Sequence, residues 1–190
     1  MRVKGIFRPA DYPPGPDGKP DAEIAALFDH LFPGVENPEI DRNHAGIALA
    51  AHNPKLALHL AQLSRFLALD TSWCQRADLR ELAIQTVNRH YGSDYSFQAR
   101  LPNARAAGIS DALLAELPRW RTSGAFDEEQ RLVIEYAQAV VSGDVPAALF
   151  SRIVRRYGEK GAIECTTVIA FWSAWAMLIN AAGPEPDSGA

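Results

Sequence analysis

Cysteine is scarce in this chain of 190 residues. There are two cysteines, Cys74 and Cys165, and neither has a partner at the spacing of a CxxC pair or a metal site. No two histidines stand at i, i+4, and the sequence HExxH does not occur. We therefore predict no bound metal, and thiols that remain reduced.

Signatures of several other function classes are also missing. The chain has no glycine-rich phosphate loop after a strand and no GxSxG turn. Its net charge is −4, and the sequence has no long run of charges of one sign. Binding to nucleic acid or to an anionic membrane needs a basic surface, which this composition does not favour. The first 20 residues, MRVKGIFRPADYPPGPDGKP, lack the apolar centre of a secretory signal. These absences predict a cytoplasmic protein with no cofactor, no nucleic-acid partner and no membrane partner.

What the sequence does contain is helical periodicity. No alternating strand pattern of any length occurs, so the predicted fold class is all-α. The predicted domains are an irregular arm over 1–20, one helical domain over 21–183 and a tail over 184–190. Within the helical domain, helices are predicted from Asp21 to Pro33 and over 41–51, 54–69, 76–91, 94–107, 110–118, 127–141, 146–157 and 160–182.

Capping residues support several of these boundaries. Asp21 and Ser110 each precede an apolar periodic segment, and Asp127 with Gln130 has the spacing of a capping box. Gly158 is expected to end one helix just before the last one begins. The boundaries are thus set largely by local chemistry.

The last predicted helix is apolar on almost every side. From Val168 to Ala182 it reads VIAFWSAWAMLINAA. This run is shorter than the ~20 residues of a membrane span, and two polar residues interrupt it. We expect it in a protein core or a subunit interface, and we expect the chain to form homo-oligomers.

Five separated segments resemble the carboxymuconolactone decarboxylase family, which includes the AhpD-type alkyl hydroperoxidases. They are Ala51–Pro54, Arg80–Leu82, Tyr91–Tyr95, Ala104–Ser110 and Leu178–Gly183, in the order found in the family. The likeness covers roughly residues 40–183. It implies a single AhpD-like helical domain that assembles into trimers or hexamers, with sites near subunit boundaries.

The chain departs from the family at the reactive positions. The thiol branch has a glutamate, then CxxC, then a histidine, whereas Glu81 is here followed by Ser93, Ser96 and Arg100. A serine hydroxyl is not ionised near neutral pH and forms no disulfide, so thiol peroxidase activity is not expected. The decarboxylase branch needs no cysteine pair and moves protons with acid–base groups.

Glu81, Gln85 and Asn88 stand at i, i+4 and i+7 and share one face of a helix. Two interpretations are open: a polar stripe that faces a cavity, with Glu81 as a catalytic base, or a solvated face. Arg100 has a guanidinium fork suited to a substrate carboxylate. Alternatively it pairs with Asp94 or Glu81.

The remaining candidates are proton donors and hydroxyl contacts. His90 and Tyr95 are predicted to join Glu81 as catalytic residues, although His90 also suits a helix C-terminus and Tyr95 a core position. Asn88, Ser93 and Ser96 are predicted to bind substrate together with Arg100.

The predicted function is cofactor-independent acid–base chemistry, of lyase, decarboxylase or isomerase type. The substrate would be a small unsaturated carboxylate or lactone from the breakdown of aromatic compounds. One alternative is residual AhpD-type peroxidase activity through Cys74 or Cys165. Another is a binding protein that catalyses nothing.

Overall fold

The computed structural model describes residues 2–15, 17–19 and 21–183, without the side chains of residues 74 and 75. Over this part of the chain it contains nine α-helices, four short 3-10 turns and no strand. The all-α fold class is therefore confirmed. The predicted tail over 184–190 and the side chain of Cys74 lie outside the described residues.

The predicted helix boundaries agree closely with the structure except over 94–107, where two helices replace the single one predicted. The α-helices are α1 (Ala22–Leu31), α2 (Ala45–Ala50), α3 (Pro54–Leu69), α4 (Ala77–His90), α5 (Asp94–Ala99), α6 (Leu101–Ala106), α7 (Asp111–Glu116), α8 (Glu128–Ser142) and α9 (Ala147–Ala182). The 3-10 turns are Pro9–Asp11, Arg42–His44, Ser72–Gln75 and Leu117–Arg119.

The predicted caps form. The Asp21 carboxylate accepts hydrogen bonds from the backbone N–H groups of Glu23 and Ile24, at 2.8 and 3.3 Å. The capping box of α8 is complete, because Asp127 and Gln130 each accept a hydrogen bond from the other's backbone N–H, at 2.7 and 3.1 Å. Gly158 interrupts α9 with φ of 72° and ψ of 172°, a conformation that only glycine adopts easily.

The described residues divide into two compact units. One comprises the residues up to Phe66 and those from Leu178 onwards, and the other runs from Leu67 to Met177. In the first, the N-terminal arm is tied down by backbone hydrogen bonds, from Ile6 N–H to Ala48 O and from Ile40 N–H to Phe7 O, both 2.8 Å.

The second unit has a core of aromatic and aliphatic side chains that includes residues of α4 and α8. Its buried members include Leu82, Phe97, Ala104, Ile109, Leu114, Leu117, Trp120, Phe126 and Ile134. At roughly 1.5–3 kcal/mol for each large apolar side chain removed from water, this cluster supplies much of the force that holds the helices together. It also fixes the α4 face that carries the candidate site.

Helix α9 is long and apolar enough to cross a membrane. Its most apolar 18-residue window has a mean hydropathy of 1.6, and 44% of that window is buried. Such a helix is found both as a membrane span and as the central helix of a helical core. No other helix in the described residues meets these criteria.

A carboxylate, Glu129, joins three segments of the second unit. Its Oε2 accepts hydrogen bonds from Arg76 Nη1 at 3.0 Å and from Arg156 Nη2 at 2.9 Å. Its Oε1 accepts one from the Tyr157 hydroxyl at 2.9 Å. Burial alone would raise the pKa of Glu129, but hydrogen bonds from Arg156 and Tyr157 and the charges of both arginines outweigh it, so the pKa is lowered.

This lowered pKa predicts a pH-dependent effect of Glu129→Gln. Since the pKa lies below the ordinary value of 4.5, the ionised carboxylate stabilises the fold above pH 4.5, and this stabilisation is lost as the pH falls through the folded-state pKa. Urea unfolding at a series of pH values should show a loss of stability in the variant that is largest near neutrality and narrows below pH 4.5. Glu159→Gln, at an exposed position, is the control. A loss that stays constant with pH would contradict the assignment.

Candidate functional site

A buried ion pair between Glu81 and Arg100 forms the centre of the candidate site. Glu81 lies on α4 with a side chain only 1% exposed, and Arg100 lies between α5 and α6 with a side chain 23% exposed. The Arg100 Nε donates to Glu81 Oε2 at 3.1 Å, and Nη2 donates to Oε1. This two-point contact fixes the orientation of both groups. Of the two partners considered from the sequence, Asp94 and Glu81, the structure selects Glu81.

An interruption between two helices places Arg100 beside this carboxylate. The single helix predicted over 94–107 is wrong: α5 ends at Ala99 and α6 begins at Leu101. Pro102 explains the break, because it has no N–H to donate and its ring clashes with a continuing helix. Arg100 takes φ of −91° and ψ of −5° at the junction, and its side chain reaches back to α4.

Two further side chains complete the surroundings of the pair. Arg80 brings a second cation, with Nε 3.5 Å from Glu81 Oε1, and its Nη1 donates to the carbonyl of Ala68 at 2.5 Å. The Arg100 guanidinium carbon lies 5.6 Å from the centroid of the Trp172 ring, within the range of a cation–π contact. One carboxylate thus faces two guanidinium groups, which leaves a local excess of positive charge.

Arg100 also retains an unused donor. Its Nε and Nη2 bind Glu81, while Nη1 has no hydrogen-bond partner in the described ranges. An acidic ligand could bind there without first breaking the pair.

The other two residues of the stripe are buried and bind within the protein. Gln85 is 0% and Asn88 2% exposed, so the stripe is not a solvated face. Gln85 Nε2 donates to the carbonyl of Phe97 at 3.2 Å, and Asn88 Nδ2 donates to Gln85 Oε1 at 2.9 Å. The bond from Gln85 to Phe97 joins α4 to α5 and therefore helps to position Arg100, while the bond from Asn88 orients the Gln85 amide within α4.

The two serines form a pair of their own. Ser93 and Ser96 are 1% and 8% exposed, and the Ser93 hydroxyl donates to Ser96 Oγ at 2.9 Å. They lie at the start of α5, where backbone N–H groups accumulate positive potential. Within the described ranges, the backbone N–H of Arg100 donates to the carbonyl of Ser96 at 3.2 Å, but no side-chain hydrogen bond joins either serine to Glu81 or Arg100.

No family model, curated protein or solved structure matches this chain. The likeness to carboxymuconolactone decarboxylases therefore stays a resemblance carried by sequence segments.

The two predicted proton donors, His90 and Tyr95, differ in their exposure and in their position relative to the ion pair. His90 is exposed at the last position of α4, where its ring packs edge-on against Tyr91 with centroids 4.9 Å apart. Nine residues at 100° each put it on the opposite side of the helix from Glu81, so the structure does not bring it to the pair. Tyr95 is half-buried on α5, in the turn next to Ser96.

Sequence reasoning missed Arg80 and Trp172 as neighbours of the pair. Arg80 adjoins Glu81 in the chain, and this adjacency was the available signal. Trp172 lies on α9, over 70 residues away, and only its place in the apolar run singled it out. Its contact with Arg100 depends on tertiary packing that no local pattern encodes.

Metal ligands do not gather in the described part of the chain. No group of three or more His, Cys, Asp or Glu side chains there has an arrangement suited to a metal ion. His52 instead contacts the backbone, with Nε2 2.7 Å from the carbonyl oxygen of Lys4.

Proposed function

We propose that this protein is a cofactor-independent acid–base enzyme, of lyase, decarboxylase or isomerase type, that acts on a small unsaturated carboxylate or lactone. The observation that carries the proposal is a buried carboxylate, Glu81, held by Arg100 with Arg80 beside it. Glutamate is almost never fully buried unless it is paired, so this carboxylate lies in an unusual environment. The family resemblance adds support from the sequence.

In the proposed reaction, the substrate carboxylate binds Arg100. It first meets the unused Nη1 and then takes over the fork, which releases Glu81. Glu81 then removes a proton from the carbon next to the unsaturated system, and the electron pair of that C–H bond delocalises into the conjugated carbonyl.

In the isomerase form, Glu81 returns a proton to another carbon of the conjugated system, which gives an isomer with no net change in composition. Exchange of the proton on Glu81 with solvent before its return carries deuterium into the substrate in D2O. In the decarboxylase form, carbon dioxide leaves, its bonding electron pair stays on the substrate carbon, and that carbon takes a proton that Glu81 has received from solvent. Tyr95 donates a hydrogen bond to the enolate oxygen, and Asn88, Ser93 and Ser96 contact substrate oxygens.

Incubation with a panel of unsaturated carboxylates and lactones in D2O tests this function. Proton NMR should show loss of signal at the carbon next to the unsaturated system of an accepted substrate, or loss of the substrate itself. No exchange and no conversion for any member of the panel would reject the proposal.

We also propose that the protein is cytoplasmic and self-associates through α9. Five exposed side chains there follow the 4–3–4–3 spacing of a helix seam: Ile163, Thr167, Ala170, Ala174 and Met177. Ile163 and Met177 are 60% and 49% exposed, and the small residues between them allow a second helix to approach closely. The family resemblance implies that the assembly is a trimer or a hexamer.

Ala174→Glu is expected to convert the oligomer to monomers, because each interface would then bury an unpaired charge. Sedimentation velocity measures the change directly. Ser151→Glu, at an exposed position on the first part of α9, should leave the oligomer intact. A wild-type protein that sediments as a monomer would contradict the proposal.

The second candidate function is a binding protein that catalyses nothing. The internal pairing of Gln85 with Asn88 and of Ser93 with Ser96 favours it, because these side chains already have partners. Residual peroxidase activity has less support, since Cys165 is 0% exposed and reactive thiols are normally partly accessible. Unchanged activity in a Cys74→Ser, Cys165→Ser double variant would exclude the peroxidase.

A further inference from the structure

A second site candidate lies in a cleft of about 260 Å³ in the unit from Leu67 to Met177. Four segments surround it: the 3-10 turn Ser72–Gln75, the start of α4, the first turn of α8 and the part of α9 just before Gly158. The wall residues that matter here are Trp73, Arg76, Leu79, Glu129, Arg156 and Tyr157. None of them belongs to the Glu81–Arg100 pair.

The polar groups of this cleft have more donors than acceptors. Both oxygens of Glu129 already have partners, since they accept from Arg76, Arg156 and Tyr157. Every nitrogen of the Arg76 guanidinium also binds a carboxylate, because its Nε and Nη2 bind Asp78 while its Nη1 binds Glu129. Arg156 uses only Nη2, so its Nε and Nη1 have no hydrogen-bond partners in the part of the chain that the structure describes.

Trp73 supplies a second spare donor. Its side chain is 4% exposed, and its indole Nε1 is the one buried side-chain nitrogen or oxygen of the described residues that lacks a hydrogen bond. A buried polar group left in this state costs about 1–3 kcal/mol, so native proteins rarely leave one without a purpose. A ligand whose acceptor reaches this N–H from the cleft would remove this cost on binding.

The rest of the wall is formed by aromatic rings and an aliphatic side chain. The rings of Trp73 and Tyr157 meet edge to face, with centroids 6.2 Å apart and planes at 88°, and Leu79 adds an aliphatic surface. Aromatic surfaces in this arrangement suit a planar apolar ligand body. The volume is below the roughly 300–1,000 Å³ of pockets for drug-sized ligands, so the ligand is small.

We propose that this cleft binds a small aromatic carboxylate, whose carboxylate accepts from Arg156 and Trp73 and whose ring packs against Tyr157 and Leu79. A carboxylate suits the spare donors better than phosphate does, because Glu129 lies within the same cleft and repels a doubly charged anion more strongly. A neutral aromatic would fill the apolar wall but would offer no charged acceptor to the unused donors of Arg156. The site is independent of the chemistry proposed for Glu81.

The indole N–H of Trp73 gives a direct readout. The chain has four tryptophans, so a ¹H–¹⁵N correlation spectrum contains four indole signals, and Trp73→Phe identifies the relevant one by its loss. Benzoate titrated to about 10 mM, which saturates a site with a Kd near 1 mM, should move this signal downfield along a saturable curve. In Arg156→Gln the Kd for benzoate should rise at least ~10-fold, the loss expected for a charge-assisted contact.

Two matched variants complete the test. Arg152→Gln removes an arginine of the same helix that pairs with Glu135 outside the cleft, and Glu81→Gln alters the other site; both should bind benzoate as the wild type does. Failure of catalysis by Glu81 would thus leave this result unaffected. The proposal is overturned if benzoate leaves the Trp73 signal in place or if Arg156→Gln binds equally well. Equal shifts with benzyl alcohol or inorganic phosphate would overturn the carboxylate assignment.

Discussion

Replacing Arg100 by methionine is expected to lower the free energy of unfolding by about 3–5 kcal/mol, the usual cost of removing one partner from a buried ion pair. Glu81 would be left with a 1% exposed carboxylate and without its bidentate partner. Methionine keeps an apolar stem that can pack on Trp172, so most of the loss reports the missing charge rather than a cavity. Guanidinium unfolding at neutral pH measures it.

The chain offers a matched control for this variant. Arg105 binds Asp111 with the same two-point geometry, at 2.9 and 2.8 Å, but the two side chains are 55% and 60% exposed. Arg105→Met should therefore lower the free energy of unfolding far less than Arg100→Met does. A Glu81→Met, Arg100→Met double variant should recover most of the stability that Arg100→Met loses, because no charge remains buried and unpaired. Equal, small losses for Arg100→Met and Arg105→Met would show that the Glu81 pair is solvated.

Glu81→Gln is expected to reduce deuterium exchange into an accepted substrate by at least ~100-fold, the lower end of what a general base contributes. The amide keeps the shape of the side chain and an oxygen for Arg100, but it cannot take a proton from carbon. Proton NMR of the substrate in D2O gives the exchange rate for both proteins. Circular dichroism establishes that the variant is folded.

Glu116→Gln is the control for this loss. Glu116 also pairs with an arginine, Arg119, but on the surface and away from the candidate site. Its variant should exchange protons at the wild-type rate. An unchanged rate in Glu81→Gln would remove Glu81 from the mechanism and favour the binding-protein function.

Helix boundaries were the part of the fold that the sequence predicted best. Caps such as Asp21 and Asp127 act over three or four residues, and Gly158 acts at its own position, so their chemistry can be read locally. The break at Arg100 was missed although Pro102 was visible, because the prediction placed this proline in the interior of one helix over 94–107. In the structure Pro102 lies in the first turn of α6, where a missing N–H is tolerated.

Tertiary contacts were much harder to predict from the sequence. The i, i+4, i+7 spacing predicted that Glu81, Gln85 and Asn88 share a face, and their burial decides that the face is internal. The choice of Glu81 over Asp94 as the partner of Arg100 depends on how α5 packs on α4. The Trp73 cleft could not be predicted at all, since its walls come from segments around residues 73, 129 and 156 that no short motif connects.

The most direct test of the proposed function is whether acidic ligands use Arg100. Thermal melting is measured with unsaturated carboxylates and with their neutral amides, on two proteins that both carry Arg156→Gln, so that binding in the Trp73 cleft does not contribute. One has Arg100 and the other has Arg100→Lys, which keeps the charge but loses the fork. A ligand at about 100 times its Kd adds about 2.7 kcal/mol of stability, enough for a clear rise in Tm. We expect at least one carboxylate to raise the Tm of the protein that has Arg100 and not the Tm of the Arg100→Lys protein, and we expect the amides to leave both Tm values unchanged. Equal shifts in both proteins, or no shift with any carboxylate, would contradict the proposed function.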